Sequence, residues 1–322
     1  MIRLGATAFD RRSSRGRISN YISFICLAAV TGIFLRRRDL IICGTDPPLA
    51  ILAAAVARRG RPLVYSIQDL HPDAVEASGI VRSRWLIACW EAMHRWGLRR
   101  CDHVVCLGSA VARRVQEKGV PPSAISVIRT GSDEVTDVAD AELVKQLRGG
   151  SDFVVVHAGN LGTVGPWEEI AGAAERVENI RFLFVGEGVY ADVLRDRGLE
   201  VRPFLPRADL ASVMAAGDLQ IVALKPGLAG SVVPSKLYTA LSHGRPILGV
   251  VPSDSEVAEI IRTWDCGVIV EPNSEKIASC LASLATDPKR MEELRHNARR
   301  AATGLRKSDS LEAWVSLVER LT

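Results

Sequence analysis

A chain of 322 residues, 48% hydrophobic and 24% charged, has the make-up of a folded globular protein with room for two domains, each with its own core. Its seven cysteines (Cys26, Cys43, Cys89, Cys101, Cys106, Cys266, Cys280) form no C-x-x-C pair and fall mostly in apolar runs, which excludes a disulfide framework and a zinc site. The net charge of +4 hides an asymmetry, 19 Lys+Arg against 9 Asp+Glu over the first 118 residues, which points to an anionic membrane surface or acceptor. No aromatic platform or reading motif accompanies that charge, so nucleic acid is excluded as a partner.

In chain order, Arg11, Arg12, Arg15 and Arg17 precede an apolar helix expected over Ile18–Leu35, and Arg36, Arg37 and Arg38 follow it. Its length approaches a bilayer span, whereas Ser19, Asn20, Ser23 and Thr31 favour a buried or interfacial helix. It starts too late, with no small-residue cleavage pattern after it, for a signal peptide. Strand Asp39–Cys43, helix Leu49–Ala57, strand Pro62–Ile67, helix Trp85–Leu98, strand His103–Leu107 and a short strand over Ile125–Ile128 come next. The acidic stretch Gly131–Asp152, with Gly149-Gly150, reads as a linker.

The second half alternates more regularly. Strand Phe153–Ala158 runs through a glycine-rich turn into helix Pro166–Val177. Then come strand Arg181–Val185, a helix to about Arg197, a short strand near Val201–Phe204, helix Ala208–Ala216 and strand Asp218–Leu224. Helix Pro234–His243, strand Pro246–Val251, a helix from about Ser255, strand Gly267–Val270 and three helices beyond Asn273 complete the chain. Near-continuous apolar strands separated by helices mark a parallel sheet covered on both faces, an α/β fold.

Ligands of such sheets bind at the C-terminal edge of the strands. Three stretches of this chain should meet there. Gly159-x-x-Gly162-x-x-Gly165 follows a strand and opens a helix, as a phosphate or sugar loop does, and it is not the dinucleotide G-x-G-x-x-G. Gly186-Glu187-Gly188 ends the next strand. The third is Pro234-Ser235-Lys236, where proline suits a first helical turn and Ser231 and Ser235 are expected to cap. A lysine set against the positive end of a helix suggests a ligand with at least two negative charges, such as a diphosphate. In the first half, Asp69, His71 and Asp73 lie just past a strand end as candidates for acid, base or metal-ligand roles, although their spacing is no metal motif. His157, inside an apolar strand, reads as a hydrogen-bonded core histidine.

Taken as an ordered set, His157-Ala-Gly-Asn-Leu-Gly, Phe184-Val-Gly-Glu-Gly, Val233-Pro-Ser-Lys-Leu-Tyr, His243-Gly-Arg-Pro-Ile-Leu and Gln68-Asp-Leu-His-Pro-Asp resemble glycosyltransferase family 4. Within that family they are similar to the WbuB-type branch of bacterial O-antigen and exopolysaccharide enzymes. The resemblance implies a GT-B fold, two Rossmann-like parallel-sheet domains facing a cleft, and a retaining sugar transfer from a nucleotide-diphosphate donor, UDP-linked by expectation. The acceptor it implies is lipid-linked or a polysaccharide, at the cytoplasmic face of the membrane. The expected domains are 1–148 on the acceptor side, incomplete at its start; 149–305 for the nucleotide sugar; and 306–322 as a helix packing back.

Lys236, carried onto this chain from the family pattern, and Asp69, from its place past a strand end, are the expected catalytic residues. Gly159, Asn160, Gly162 and Thr163 would face the diphosphate and sugar, and Gly186, Glu187, Gly188 and Arg207 the nucleoside. Ser231, Ser235 and Thr239 would offer hydroxyls. The chain departs from the family at several places. Ser231 and Thr239 stand where a Glu-x7-Glu pair is usual, and Gln68 where a histidine is. Asn160 and Val164-Gly165 replace the usual Arg and Lys, leaving Lys236 as the main cation. The first strand and its glycine loop are expected to be missing, as in a shortened frame or a chain completed by a partner. No cofactor or metal is expected. The alternatives are a non-catalytic nucleotide-sugar-binding or partner-binding module, and a sugar-nucleotide 2-epimerase, for which acid/base groups are sparse.

Overall fold

The computed structural model describes residues 4–9, 14–34 and 39–322. Arg11, Arg12 and Arg36–Arg38 lie outside the described residues, and so do the side chains of Arg15 and Arg17. The chain divides into two compact units, one of Met1–Arg129, Gly230–Val232 and Leu311–Thr322, the other of Thr130–Ala229 and Val233–Ser310.

The first unit runs α1 (Ser14–Phe34), β1 (Ile41–Gly44), α2 (Ala50–Ala57), β2 (Leu63–Ile67), α3 (Asp73–Ala77), α4 (Arg84–Leu98), β3 (His103–Cys106), α5 (Ser109–Glu117) and β4 (Ile125–Val127). Its four strands form a parallel sheet in the order β1-β2-β3-β4. α1 lies along α2 and keeps Ile18, Ile22 and Phe34 exposed, so it is not a buried helix; no helix among the described residues is long and apolar enough to cross a membrane. The last helix of the chain returns to this unit, where Leu317 packs with Val64, Val105 and Ile128.

The second unit contains α6 (Ala141–Arg148), β5 (Phe153–Ala158), α7 (Trp167–Ala174), β6 (Ile180–Val185), α8 (Ala191–Asp196), β7 (Glu200–Arg202), α9 (Leu210–Ala216) and β8 (Leu219–Ala223). It continues with α10 (Lys236–Ser242), β9 (Ile247–Val250), α11 (Glu256–Trp264), β10 (Gly267–Val270), α12 (Ser274–Ala285) and α13 (Pro288–Gly304); α14 (Lys307–Leu321) closes the chain. Its strands form a six-stranded parallel sheet in the order β10-β9-β8-β5-β6-β7, with β5 central. Successive residues of a strand point to opposite faces, and both faces of β5 are covered. Phe153 and Val155 pack beside Trp167, Ile170 and Leu281, while Val154 and Val156 pack beside Leu147, Val213 and Met214.

The expected linker over Gly131–Asp152 is folded. Asp140 caps α6 by accepting from the N–H groups of Glu142 and Leu143, and Leu147 carries the helix into the core beside α9. Ser212 Oγ accepts from Asp140 N at 2.9 Å. The division therefore falls at Arg129/Thr130 and not at 148/149, because α6 buries its apolar side in the second unit.

Within the first unit, Lys118 at the end of α5 is only 5% exposed. Its ammonium lies 2.6 Å from both Asp73 Oδ2 and Glu91 Oε2, which ties α3, α4 and α5 into one layer. Burying an ammonium is tolerable only with such partners, and removing one side strands the other charges. Lys118→Ala is expected to lower stability by about 3–5 kcal/mol, measured by denaturant unfolding followed by the near-UV signal of the tryptophans.

Candidate functional site

The C-terminal edge of the second sheet gathers three of the predicted segments. β5 ends at Ala158 and the chain turns through Gly159–Gly165 before α7; β6 ends at Val185 and turns through Gly186-Glu187-Gly188 before α8. The two turns are stitched together by backbone bonds, from Gly159 N to Val185 O, Leu161 N to Glu187 O and Tyr190 N to Leu161 O. Glycine is required where they touch. A Cβ on Gly186 would stand 2.0 Å from the Gly159 carbonyl oxygen, and Gly186 has φ of 153°.

The loop turns its carbonyls toward protein donors. The Gly162 carbonyl accepts from Trp167 Nε1 at 2.6 Å, that of Val164 from Lys225 N at 2.8 Å, and that of Asn160 from the Lys236 ammonium at 3.2 Å. The half-buried N–H groups of Gly162, Thr163 and Val164, by contrast, reach no protein acceptor among the described residues. Consecutive amides without a protein acceptor are available to an anion.

Lys236 comes to the loop from α10. Its side chain occupies the space a Cβ on Gly159 would take, with Cε 2.0 Å from that position, and Gly159 has φ of 139°. Burial lowers the ammonium pKa to about 8. The helix differs from the expectation that opened it at Pro234, with Lys236 in its first turn. α10 begins at Lys236, and Ser235 at its cap has helical φ and ψ with no side-chain cap bond. Pro234 and Ser235 form a tight turn instead, their carbonyls accepting from Leu237 N and Tyr238 N. Thr239 is half-buried one turn into the helix, and Ser235 is exposed.

Beneath the loop, the buried His157 ring meets Trp167 edge-on at 4.6 Å, and its Nδ1 lies 3.2 Å from the Ile221 carbonyl oxygen. Burial first, and then the Lys236 charge, lower its pKa to about 3, so it is a neutral wedge under the loop. To one side, a pocket of about 170 Å³ is walled by Gly159, Val185, Phe204, Pro206 and Arg207. Phe204, expected in a strand, lies past the end of β7 and is exposed at this pocket.

The other predicted residues belong to the first unit. Asp69 follows β2 at the same kind of edge, where Thr45 Oγ1 accepts from Gln68 N. Crowding by neighbouring atoms, and then the Asp46 carboxylate, raise the Asp69 pKa against the opposing pull of His71. His71 stacks on Trp90 at 5.8 Å, and burial lowers its pKa. Asp73 is already engaged by Lys118 and Arg114, whose hydrogen bonds outweigh burial and hold its pKa low, so it is a structural anchor. Ser231 is buried in this unit, its carbonyl accepting from Leu70 N at 2.8 Å. No group of three or more His, Cys, Asp or Glu side chains among the described residues is arranged to hold a metal ion.

Gly159→Ala is expected to displace the Lys236 side chain and to cost about 1–3 kcal/mol of stability through backbone strain. The Lys236 amine, followed by NMR after isotopic methylation, should then titrate close to an ordinary lysine instead of near pH 8. In the unaltered chain, a folded-state pKa below the unfolded one means that stability rises as pH climbs from about 8 toward the ordinary lysine value.

Residues 4–131 match the family described as "Glycosyl transferase 4-like domain", and residues 152–287 match "Glycosyl transferases group 1". The chain is 26% identical over 280 residues to the protein named "Probable glycosyltransferase WbjE" of Pseudomonas aeruginosa, covering 82% of this chain and 70% of that one. It is 28% identical over 235 residues to WcaI of Escherichia coli (strain K12), named for colanic acid biosynthesis, covering 67% of this chain but only 58% of WcaI. Among solved structures, HepE of Anabaena in complex with UDP superposes with a TM-score of 0.74 at 18% identity, over 97% of this chain and 85% of HepE. Sucrose-phosphate synthase of Thermosynechococcus elongatus superposes with a TM-score of 0.77 at 15% identity, over 99% of this chain and 82% of that one. The two parallel-sheet units thus have the GT-B architecture, and the chain joins a glycosyl transferase 4-like domain to a glycosyl transferases group 1 domain.

Proposed function

We propose that this chain is a retaining glycosyltransferase that moves a sugar from a UDP-linked donor to a lipid-linked or polysaccharide acceptor during cell-surface polysaccharide synthesis. It would work as a peripheral protein on the inner face of the cell membrane, held there by its basic first half. The observation that carries the reading is the Gly159–Gly165 loop, whose amides at Gly162, Thr163 and Val164 are left for an anion beside the Lys236 ammonium. Support comes from HepE, which has been solved with UDP and with UDP-glucose, and from the polysaccharide association in the name of WcaI.

In this reading the donor diphosphate rests on the loop amides and Lys236. The base enters the pocket beside Gly159, Pro206 and Arg207, and Gly186-Glu187-Gly188 lies toward the nucleoside. Asn160, Ser235 and Thr239 border the transferred sugar. The bond from the anomeric carbon to the diphosphate breaks while the acceptor oxygen bonds to the same face of that carbon. The acceptor proton leaves with the departing phosphate. Fixed donors aimed at the developing phosphate charge supply the largest share of such catalysis. Asp69, with its raised pKa, serves on the acceptor side. No cofactor takes part in the reaction as drawn here.

Lys236→Ala is expected to reduce transfer to membrane extract by a factor on the order of 100 or more; turnover at the unaltered rate would refute the assigned role. UDP affinity should fall as pH rises through about 8, and calorimetry in buffers of different ionisation enthalpy should show proton uptake on binding above that pH. NMR of the product's anomeric proton tests retention, and transfer abolished by a chelator and restored by manganese would contradict the cofactor-free scheme. A chain that binds UDP yet forms product with no acceptor would instead be a nucleotide-sugar-binding module.

A further inference from the structure

Lys236 brings one positive charge to a ligand whose diphosphate carries two negative ones. A second cation reaches the same loop from an unexpected place. Lys225 stands just past the end of β8, and its backbone N–H binds the Val164 carbonyl oxygen at 2.8 Å, at the far end of the glycine loop from Asn160. Its side chain reaches Tyr190, with the ammonium 3.3 Å from the phenol oxygen and 5.1 Å from the ring centroid. Tyr190 is itself fixed to the loop through its N–H bond to the Leu161 carbonyl. Lys225 is therefore joined to the loop at two points that bracket the unpaired amides, directly at Val164 and through Tyr190 at Leu161.

Its contacts are all with neutral groups. Among the described residues Lys225 forms no ion pair, although ion pairs occupy many cations of this unit, including Arg148, Arg181, Arg197, Arg202, Arg290 and Arg295. A half-buried ammonium resting on a phenol retains most of its capacity to attract an anion, because a neutral oxygen does not cancel its charge. Val164 and Gly165, by contrast, bring no charge of their own to the loop.

We propose that Lys225 is a second donor-binding cation, which contacts the diphosphate from the Val164 end of the loop while Lys236 contacts it from the Asn160 end. This rests on the reading of the loop as a diphosphate site. The two lysines and the amides between them would then balance the charge that leaves with the nucleotide, and Lys225 would compensate for the uncharged Val164-Gly165.

Calorimetry with UDP and UMP, on the full chain and on Lys225→Met and Lys225→Arg, tests the assignment. Lys225→Met is expected to weaken UDP binding by about 10–100-fold, the scale of one charge-assisted hydrogen bond. It should weaken UMP binding much less, and reduce the dependence of UDP affinity on salt. Lys225→Arg should restore UDP affinity to within several-fold. UDP binding by Lys225→Met equal to that of the unaltered chain overturns the assignment alone. So does an equal loss of UDP and UMP that arginine does not repair, the signature of a loop that has merely lost its tether. Absence of UDP binding to the unaltered chain overturns the diphosphate site itself, and this assignment with it.

Discussion

The arrangement at the second sheet's edge depends on two missing side-chain atoms. Lys236 lies where Gly159 would carry its Cβ, and the Gly159 carbonyl lies where Gly186 would carry one. Both glycines have φ values that other residues adopt only under strain. Only this backing lets the β5 turn, the β6 turn and the lysine of α10 occupy one small volume. The close approach also removes water from the ammonium, and for that reason its pKa falls.

The same closeness explains why the loop amides are available. Trp167 binds the Gly162 carbonyl, whose peptide plane carries the Thr163 N–H, and Tyr190 N binds the Leu161 carbonyl, whose plane carries the Gly162 N–H, so both planes are fixed. His157, Trp167 and Phe184 form an aromatic floor that holds the β5 turn against the core. Preorganised donors of this kind need little rearrangement when charge develops beside them.

The first unit uses its charges differently. Lys118, Asp73 and Glu91 are spent on holding α3, α4 and α5 together, and the loop after β2 is positioned by that layer. Asp73 at the start of α3 and Asp69 four residues before it consequently have opposite electrostatic fates. Cations surround the first and lower its pKa; crowding and a neighbouring carboxylate raise that of the second. Their chemical roles cannot be told from residue type alone.

Much of the fold was legible in the sequence, because a parallel strand buried on both faces leaves an unbroken apolar run and a glycine turn at its end. β5, β6, β8 and their loops were recognised in this way, and Gly159, Gly162, Gly186 and Lys236 were singled out from local pattern alone. α5 is faint in sequence, because only Val111 and Val115 repeat at helical spacing among small or charged residues. α6 reads as linker in sequence because its acidic, glycine-flanked stretch holds a single buried leucine, Leu147. What the sequence by itself determined was the order of strands and helices and which loops carry glycine, since those follow from periodicity and backbone freedom along the chain. Only the tertiary structure decided that Lys225 binds the Val164 carbonyl and reaches Tyr190, that Ser231 is buried and that Asp73 is already paired. Those facts depend on contacts between residues far apart in the chain, and no local pattern records them.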